Sequence, residues 1–117
     1  WNMGKMVTAG GIYSSIVDLA ELMIAQMAAY KTANHPNSDH PLVLTNAAVE
    51  SNSQYGYGFF QTGEEGELFG HGGDLDGFAS TYLFSTKHNV GLIILTSSGG
   101  RWTKELEGQL FARLTRD

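Results

Sequence analysis

Apolar side chains recur at Ile16, Leu19, Ala20, Met23, Ile24, Met27 and Tyr30 in steps of three and four, the spacing of one face of an α-helix. Ser15 stands three residues before Asp18. Its hydroxyl can cap a free backbone N–H while the carboxylate answers the positive end of the helix dipole, so a helix is predicted to begin here. The methionines on this stripe read as core packing rather than as a ligand set. From Gln54 the period changes to two, with Tyr55, Tyr57, Phe59 and Gln61 alternating with Gly56, Gly58 and Phe60. That alternation predicts a strand with an aromatic face.

Further strands are predicted over 67–71, 78–85 and 90–97, joined by Gly63-Glu64-Glu65-Gly66, by a glycine-rich stretch and by Thr86-Lys87-His88-Asn89. Connections this short make the pairings antiparallel. The fourth strand is rich in branched apolar residues, which predicts a central position or cover on both faces. Trp102, Leu106, Leu110 and Leu114 then recur every four residues, with Phe111 beside them. They predict a closing amphipathic helix laid across the sheet. The order describes one α+β domain over residues 1–117, an antiparallel meander of about four strands with a helix at each end. One covering helix leaves a face of such a sheet bare, so the first helix, another copy or an upstream region is expected there. Gly10-Gly11 predicts a turn, residues 34–41 a proline-bearing loop, and residues 45–50 a short helix.

Composition narrows the chemistry. The 117 residues carry a formal net charge of −5 and no basic cluster, which excludes the electrostatic footprint of a nucleic-acid binder. The absence of cysteine removes disulfides, thiolate nucleophiles and Cys-ligated zinc, and leaves the compartment undecided. No apolar run approaches the roughly 18 residues that span a bilayer. His35, Asp39 and His40 sit in the proline loop, where no helical face can gather them around a metal, so neither metal nor cofactor is expected. Because the chain begins at Trp1, an upstream part is expected to precede it in a parent protein.

The stretch with most chemical content is Gly70-His71-Gly72-Gly73-Asp74-Leu75-Asp76-Gly77, one imidazole and two carboxylates among glycines. The reading lies between a turn built by Gly and Asp and a backbone kept bare so that a ligand can approach it closely. A self-contained triad is the rival chemistry, with His71 as base, Asp74 or Asp76 as orienter and Ser80 or Ser97 as nucleophile. A carboxylate three residues from the histidine across a glycine turn is poorly placed for that task.

Three segments together resemble the C-terminal part of the serine β-lactamase and penicillin-binding-protein superfamily, in its class C and esterase-like branch. Ala9-Gly10-Gly11-Ile12-Tyr13-Ser14-Ser15 with Asp18-Leu19-Ala20 is similar to its Ala-Gly-Gly-Leu-Tyr-Ser-Thr stretch and following helix. Tyr55-Gly56-Tyr57-Gly58-Phe59 is similar to Tyr-Gly-Leu-Gly-Trp, and Gly70-His71-Gly72-Gly73 through Gly77-Phe78 resembles the His-x-Gly box that replaces Lys-Thr-Gly. The close, Leu95-Thr96-Ser97, a glycine pair and a helix, also fits the order. The resemblance implies a partial β-lactamase or transpeptidase fold. In it His71 faces a cleft, Gly72 and Gly73 keep the strand edge bare for substrate, and the Asp74 backbone N–H is one oxyanion-hole donor. The Asp74 and Asp76 side chains are then turn formers.

The departures from the family pattern are as informative. No serine has a lysine three residues later, and the Tyr-x-Asn motif is missing. Ser98 comes closest with Arg101, and arginine stays protonated and cannot act as that base. The resemblance therefore implies one wall of a serine acyl-transfer site without the attacking groups. Its substrate in a complete protein would be a β-lactam, a D-amino-acid peptide or an ester, and the chain alone is expected to be inactive. Exposed apolar surface left by a missing half predicts self-association. The alternative is a non-catalytic binding module derived from the same fold.

Overall fold

A computed structural model describes residues 4–32, 40–44, 55–63, 66–99 and 102–116. A 3-10 helix, Gly4–Ala9, leads into α1 (Ile16–Thr32), followed by the one-turn α2 (Pro41–Leu44). The strands are β1 (Phe60–Thr62), β2 (Leu68–Leu75), β3 (Phe78–Ser85) and β4 (Val90–Thr96), and α3 (Trp102–Leu114) closes the chain. The sheet is a fully antiparallel meander in the order β1-β2-β3-β4.

The predicted start of α1 is borne out. The Asp18 backbone N–H donates to Ser15 Oγ at 3.1 Å, and Ser15 Oγ donates to the Asp18 carboxylate at 2.8 Å. The inward face is turned from the predicted stripe. Met23, Gln26 and Ala29 are buried, with Leu19, Met27 and Tyr30 packed around the core, while Ile16 and Ile24 are exposed. Gln26 can be buried because Tyr82 Oη of β3 donates to its Oε1 at 2.5 Å.

Neighbouring residues of β3 fix the layering. Side chains alternate across a strand, so Tyr82 and Thr81 point to opposite faces. Tyr82 bonds to Gln26 of α1, and Thr81 Oγ1 donates to the Glu107 carboxylate of α3 at 2.9 Å. The two helices therefore cover opposite faces, and the face predicted to lack cover is closed by the first helix. The α1 face holds the core of Met23, Phe69, Tyr82 and Phe84, with Phe84 fully buried. Its rings interlock: Tyr30 meets Phe69 at 4.8 Å, Phe69 stacks on Phe84 at 5.5 Å, and Phe59 meets Tyr82 at 5.4 Å.

Of the two positions expected for β4 the structure has the second: it lies at a sheet edge, with α1 and α3 each packed against it. Three expectations are corrected. β2 does not stop at His71 but continues to Leu75, because its glycines pair with β3 as strand residues. The aromatic alternation from Tyr55 is not one strand: Gly56 N–H bonds back to the Phe59 carbonyl at 2.7 Å, so Tyr55 folds onto Phe60 and only Phe60–Thr62 extends the sheet. On α3, buried Thr103 and half-buried Leu106 and Phe111 face inward, whereas Trp102 and Leu114 lie exposed at the margins. The predicted helix at 45–50 and most of the loop at 34–41 fall outside the described residues; His40 Nδ1 accepts the Leu42 N–H at 3.2 Å at the start of α2.

Gly91 lies directly beneath Met23, and a Cβ there collides with the Met23 sulfur. Gly91→Ala is expected to cost about 1–3 kcal/mol as overpacking, read as a lower urea midpoint, with partial recovery when combined with Met23→Ala. Burial also pushes the Tyr82 phenol well above its ordinary value. The unfolded chain releases this proton near pH 10 and the folded chain keeps it, so the folded state binds more protons there and stability falls as pH rises past about 10. Urea titrations between about pH 9 and about pH 11 should show this decline, and Tyr82→Phe should flatten it.

Candidate functional site

The candidate site is the second half of β2. Both edges of its first residues are occupied: β1 pairs Thr62 with Leu68, Gln61 with Phe69 and Phe60 with Gly70. On the other side β3 follows the whole strand, from Leu68 opposite Ser85 to Leu75 opposite Phe78. Because the chain turns away before Phe60, no strand among the described residues pairs with the outer edge of β2 beyond Gly70. His71 is the first residue past that point, and residues 71–75 are all exposed.

The glycines divide by role. A Cβ on Gly70 would stand 2.6 Å from the Tyr82 carbonyl oxygen and 2.9 Å from Leu83 Cδ1, so this glycine is required by packing against β3. Gly72 and Gly73 are less confined: a Cβ would come no closer than 3.3 Å to the Ser80 carbonyl oxygen and 3.1 Å to Ser80 Oγ respectively. Together they leave a stretch of backbone without side chains along an open edge, which is what an extended ligand needs to hydrogen-bond a strand.

His71 closes one end of this edge. Its ring lies 5.9 Å from Phe60, and Phe60 meets Tyr55 edge-on at 5.8 Å. Tyr55 is 62% exposed and Tyr57 76%, so the imidazole ends a row of aromatic rings open to solvent. That row was legible in sequence only as an alternating face; the turn that folds Tyr55 onto Phe60 was not. At the other end Asp76-Gly77 makes the two-residue turn into β3, with Gly77 at φ +82°, as expected of Asp76 as a turn former. Asp74 is not in the turn but within the strand, opposite Ala79. Its carboxylate lies against Gly99, where a Cβ would stand 3.1 Å from Oδ1. This approach brings the end of β4 beside the β2–β3 turn, and no local pattern signals it.

The rival triad fails on this geometry. Residues three apart on a strand point to opposite faces, so Asp74 cannot orient the His71 ring, and Asp76 lies beyond the strand in the turn. Among the described residues no three His, Asp or Glu side chains gather as a metal site. No described helix is long and apolar enough to cross a membrane. A groove of about 500 Å³ at the end of α1, lined by Tyr30, Phe69, Lys31 and Lys87 among others, contains none of the predicted site residues.

A family model described as Beta-lactamase matches residues 1–115. The chain belongs to the β-lactamase family. No curated protein and no solved structure matches it. The match runs through both helices and the whole sheet, so in this β-lactamase-family chain the glycine-bearing strand, the aromatic row and the closing helix fall within one family unit.

The contrast among the glycines is testable. Gly70→Ala should destabilise the chain by about 1–3 kcal/mol through its clash with β3, whereas Gly73→Ala should cost less, since the Ser80 hydroxyl can rotate away. Urea unfolding of the two variants checks the order; equal losses would show that the β2 edge is as closely packed as its centre.

Proposed function

We propose that this chain is the C-terminal region of a β-lactamase-like serine hydrolase of the class C and esterase-like branch, and that it supplies the glycine-lined wall of the acyl-transfer site. The observation that carries the reading is the unpaired outer edge of β2 from His71 to Leu75, flanked by an exposed imidazole and free of side chains at Gly72 and Gly73. A substrate acyl chain lies along this edge as an added strand, using the row of backbone donors and acceptors. The Asp74 N–H serves as one oxyanion donor, a contact worth about 3 kcal/mol in a transition state. His71 binds the acyl group or positions a proton beside it, the task that an imidazole performs near neutral pH.

The nucleophile and its base are not on this chain, because no serine is followed three residues later by lysine. Substrates of the complete protein are β-lactams, D-amino-acid peptides of the carboxypeptidase and penicillin-binding type, or small esters. The family match and the open edge support this class together, and the choice within it rests on walls contributed by other residues.

Two measurements test the proposal. Titrating the isotope-labelled chain with a D-alanyl-D-alanine peptide should move the backbone signals of Gly72, Gly73 and Asp74 and the ring signals of His71 before any others. Shifts confined to the groove at Tyr30 and Lys87, or no shifts at millimolar peptide, would overturn it. The chain alone should cleave p-nitrophenyl acetate no faster than free imidazole; turnover above that level, abolished by His71→Ala, would show that the attacking groups are present after all.

A further inference from the structure

In the hairpin that carries the candidate site, register decides which backbone groups face outward. Opposite residues of an antiparallel ladder alternate between pairs that exchange hydrogen bonds and pairs that turn theirs away. The two-residue turn at Asp76-Gly77 makes Leu75↔Phe78 a bonded pair, so Gly73↔Ser80 and His71↔Tyr82 are bonded as well. The carbonyls of β3 agree with this, since Tyr82 O and Ser80 O stand 2.6 Å and 3.3 Å from where a Cβ on Gly70 and on Gly72 would lie. Gly70, Gly72 and Asp74 therefore turn their N–H and C=O groups to the other edge. β1 takes up Gly70, and the Asp74 N–H is the last outward donor before the turn.

The chain segment packed against Asp74 comes from the far side of the sheet. Asp74 pairs with Ala79, and Ala79 pairs with Thr96, the last residue of β4. Thr96 Oγ1 accepts the Ser98 N–H at 3.0 Å, a side-chain turn that ends the strand. One residue later Gly99 has crossed the width of β3. A Cβ there would stand 3.1 Å from Asp74 Oδ1, 3.3 Å from the Leu75 carbonyl oxygen and 3.7 Å from the Gly77 nitrogen. Gly99 has no left-handed φ, so its backbone conformation does not require glycine; the close approach does. Two of the three atoms it would meet are backbone, which cannot rotate aside.

We infer that Gly99 is a positioning residue for the oxyanion donor: by presenting no side chain it lets Asp74 and the turn after it sit where the Asp74 N–H meets the open edge. The inference rests on the hydrolase reading, which gives that N–H its role. A side chain at position 99 meets the carboxylate of Asp74 and the carbonyl of the next residue, pressing on both sides of the Asp74 α-carbon and swinging the N–H off its line. An oxyanion donor acts only when aimed at the place the charged oxygen takes up, so a small rotation removes much of its effect. The segment has little freedom to yield instead. Thr96 holds it on one side, and on the other α3 begins at Trp102 and is fixed to β3 by the bond from Thr81 to Glu107.

Titrating the labelled chain and its variants with the D-alanyl-D-alanine peptide, under conditions where each is folded, tests this. Gly99→Ala should weaken binding at least about threefold and Gly99→Val further, and both should shift the Asp74 amide signal before any peptide is added. Gly108→Ala, on α3 where a Cβ meets nothing within 4 Å, should do neither. A purely structural role would lower the urea midpoint and leave binding and the Asp74 signal alone. Asp74→Ala keeps the backbone N–H and removes the nearest obstacle, so the double variant with Gly99→Ala should bind within about twofold of Asp74→Ala by itself. Binding that both Gly99 variants leave unchanged, or a loss that Asp74→Ala does not relieve, overturns the role of Gly99 alone. Failure of the unaltered chain to bind the peptide overturns the hydrolase reading and this inference with it.

Discussion

Two adjacent hydroxyls on β3 hold the three layers of this protein together. Tyr82 reaches down to Gln26 of α1, and Thr81 reaches up to Glu107 of α3. Both donors are buried, as is Gln26, so each bond replaces water that cannot enter. Losing one partner strands the other at a cost of about 1–3 kcal/mol. Around these two contacts the apolar packing is unequal. The α1 face carries the interlocked rings of Tyr30, Phe59, Phe69, Tyr82 and Phe84, while the α3 face is closed by smaller residues of β3, Ala79, Thr81, Leu83 and Ser85, all buried. The strand that is dry on both sides is therefore β3, and every other element is positioned relative to it.

That anchoring explains how a run of glycines can serve as a strand. Glycine loses more conformational freedom on folding than any other residue and has no side chain with which to hold a sheet. In β2 the cost is met by continuous pairing to β3, by Phe69 in the core and by the close approach of Gly70 to the β3 backbone. Once the strand is held from that side, its other side is free. The backbone beyond Gly70 can remain open to a ligand because the fold does not depend on it. Stability and availability are thus divided between the two edges of one strand.

The same division separates the two ends of the sheet. At the β2 end the open edge is bare, glycine-lined and flanked by an imidazole, features suited to a polar extended substrate. At the β4 end the strand is apolar and uncharged, with α1 and α3 packed against its two faces.

Local pattern was enough for the class of fold and for most elements. The Ser15–Asp18 cap, the period of α1 and α3, the short turns of the meander and Asp76-Gly77 all depend on residues within a few positions of each other, and all appear in the structure. The membership of the chain in its family was also legible in the order of its motifs from Ala9 onward, and the family model matches residues 1–115. What the linear order could not decide were matters of long-range approach. A glutamine in α1 turned inward because a tyrosine 56 residues later offers it a hydroxyl, and a branched, apolar strand came to lie at an edge with α1, distant in sequence, packed on one face and α3 on the other. Where His71 stands relative to the end of β1, which opens the candidate site, likewise depends on a backbone bond from Gly56 to Phe59 that reverses the chain. Periodicity reports which side chains avoid water; only the folded chain settles which partner each of them meets.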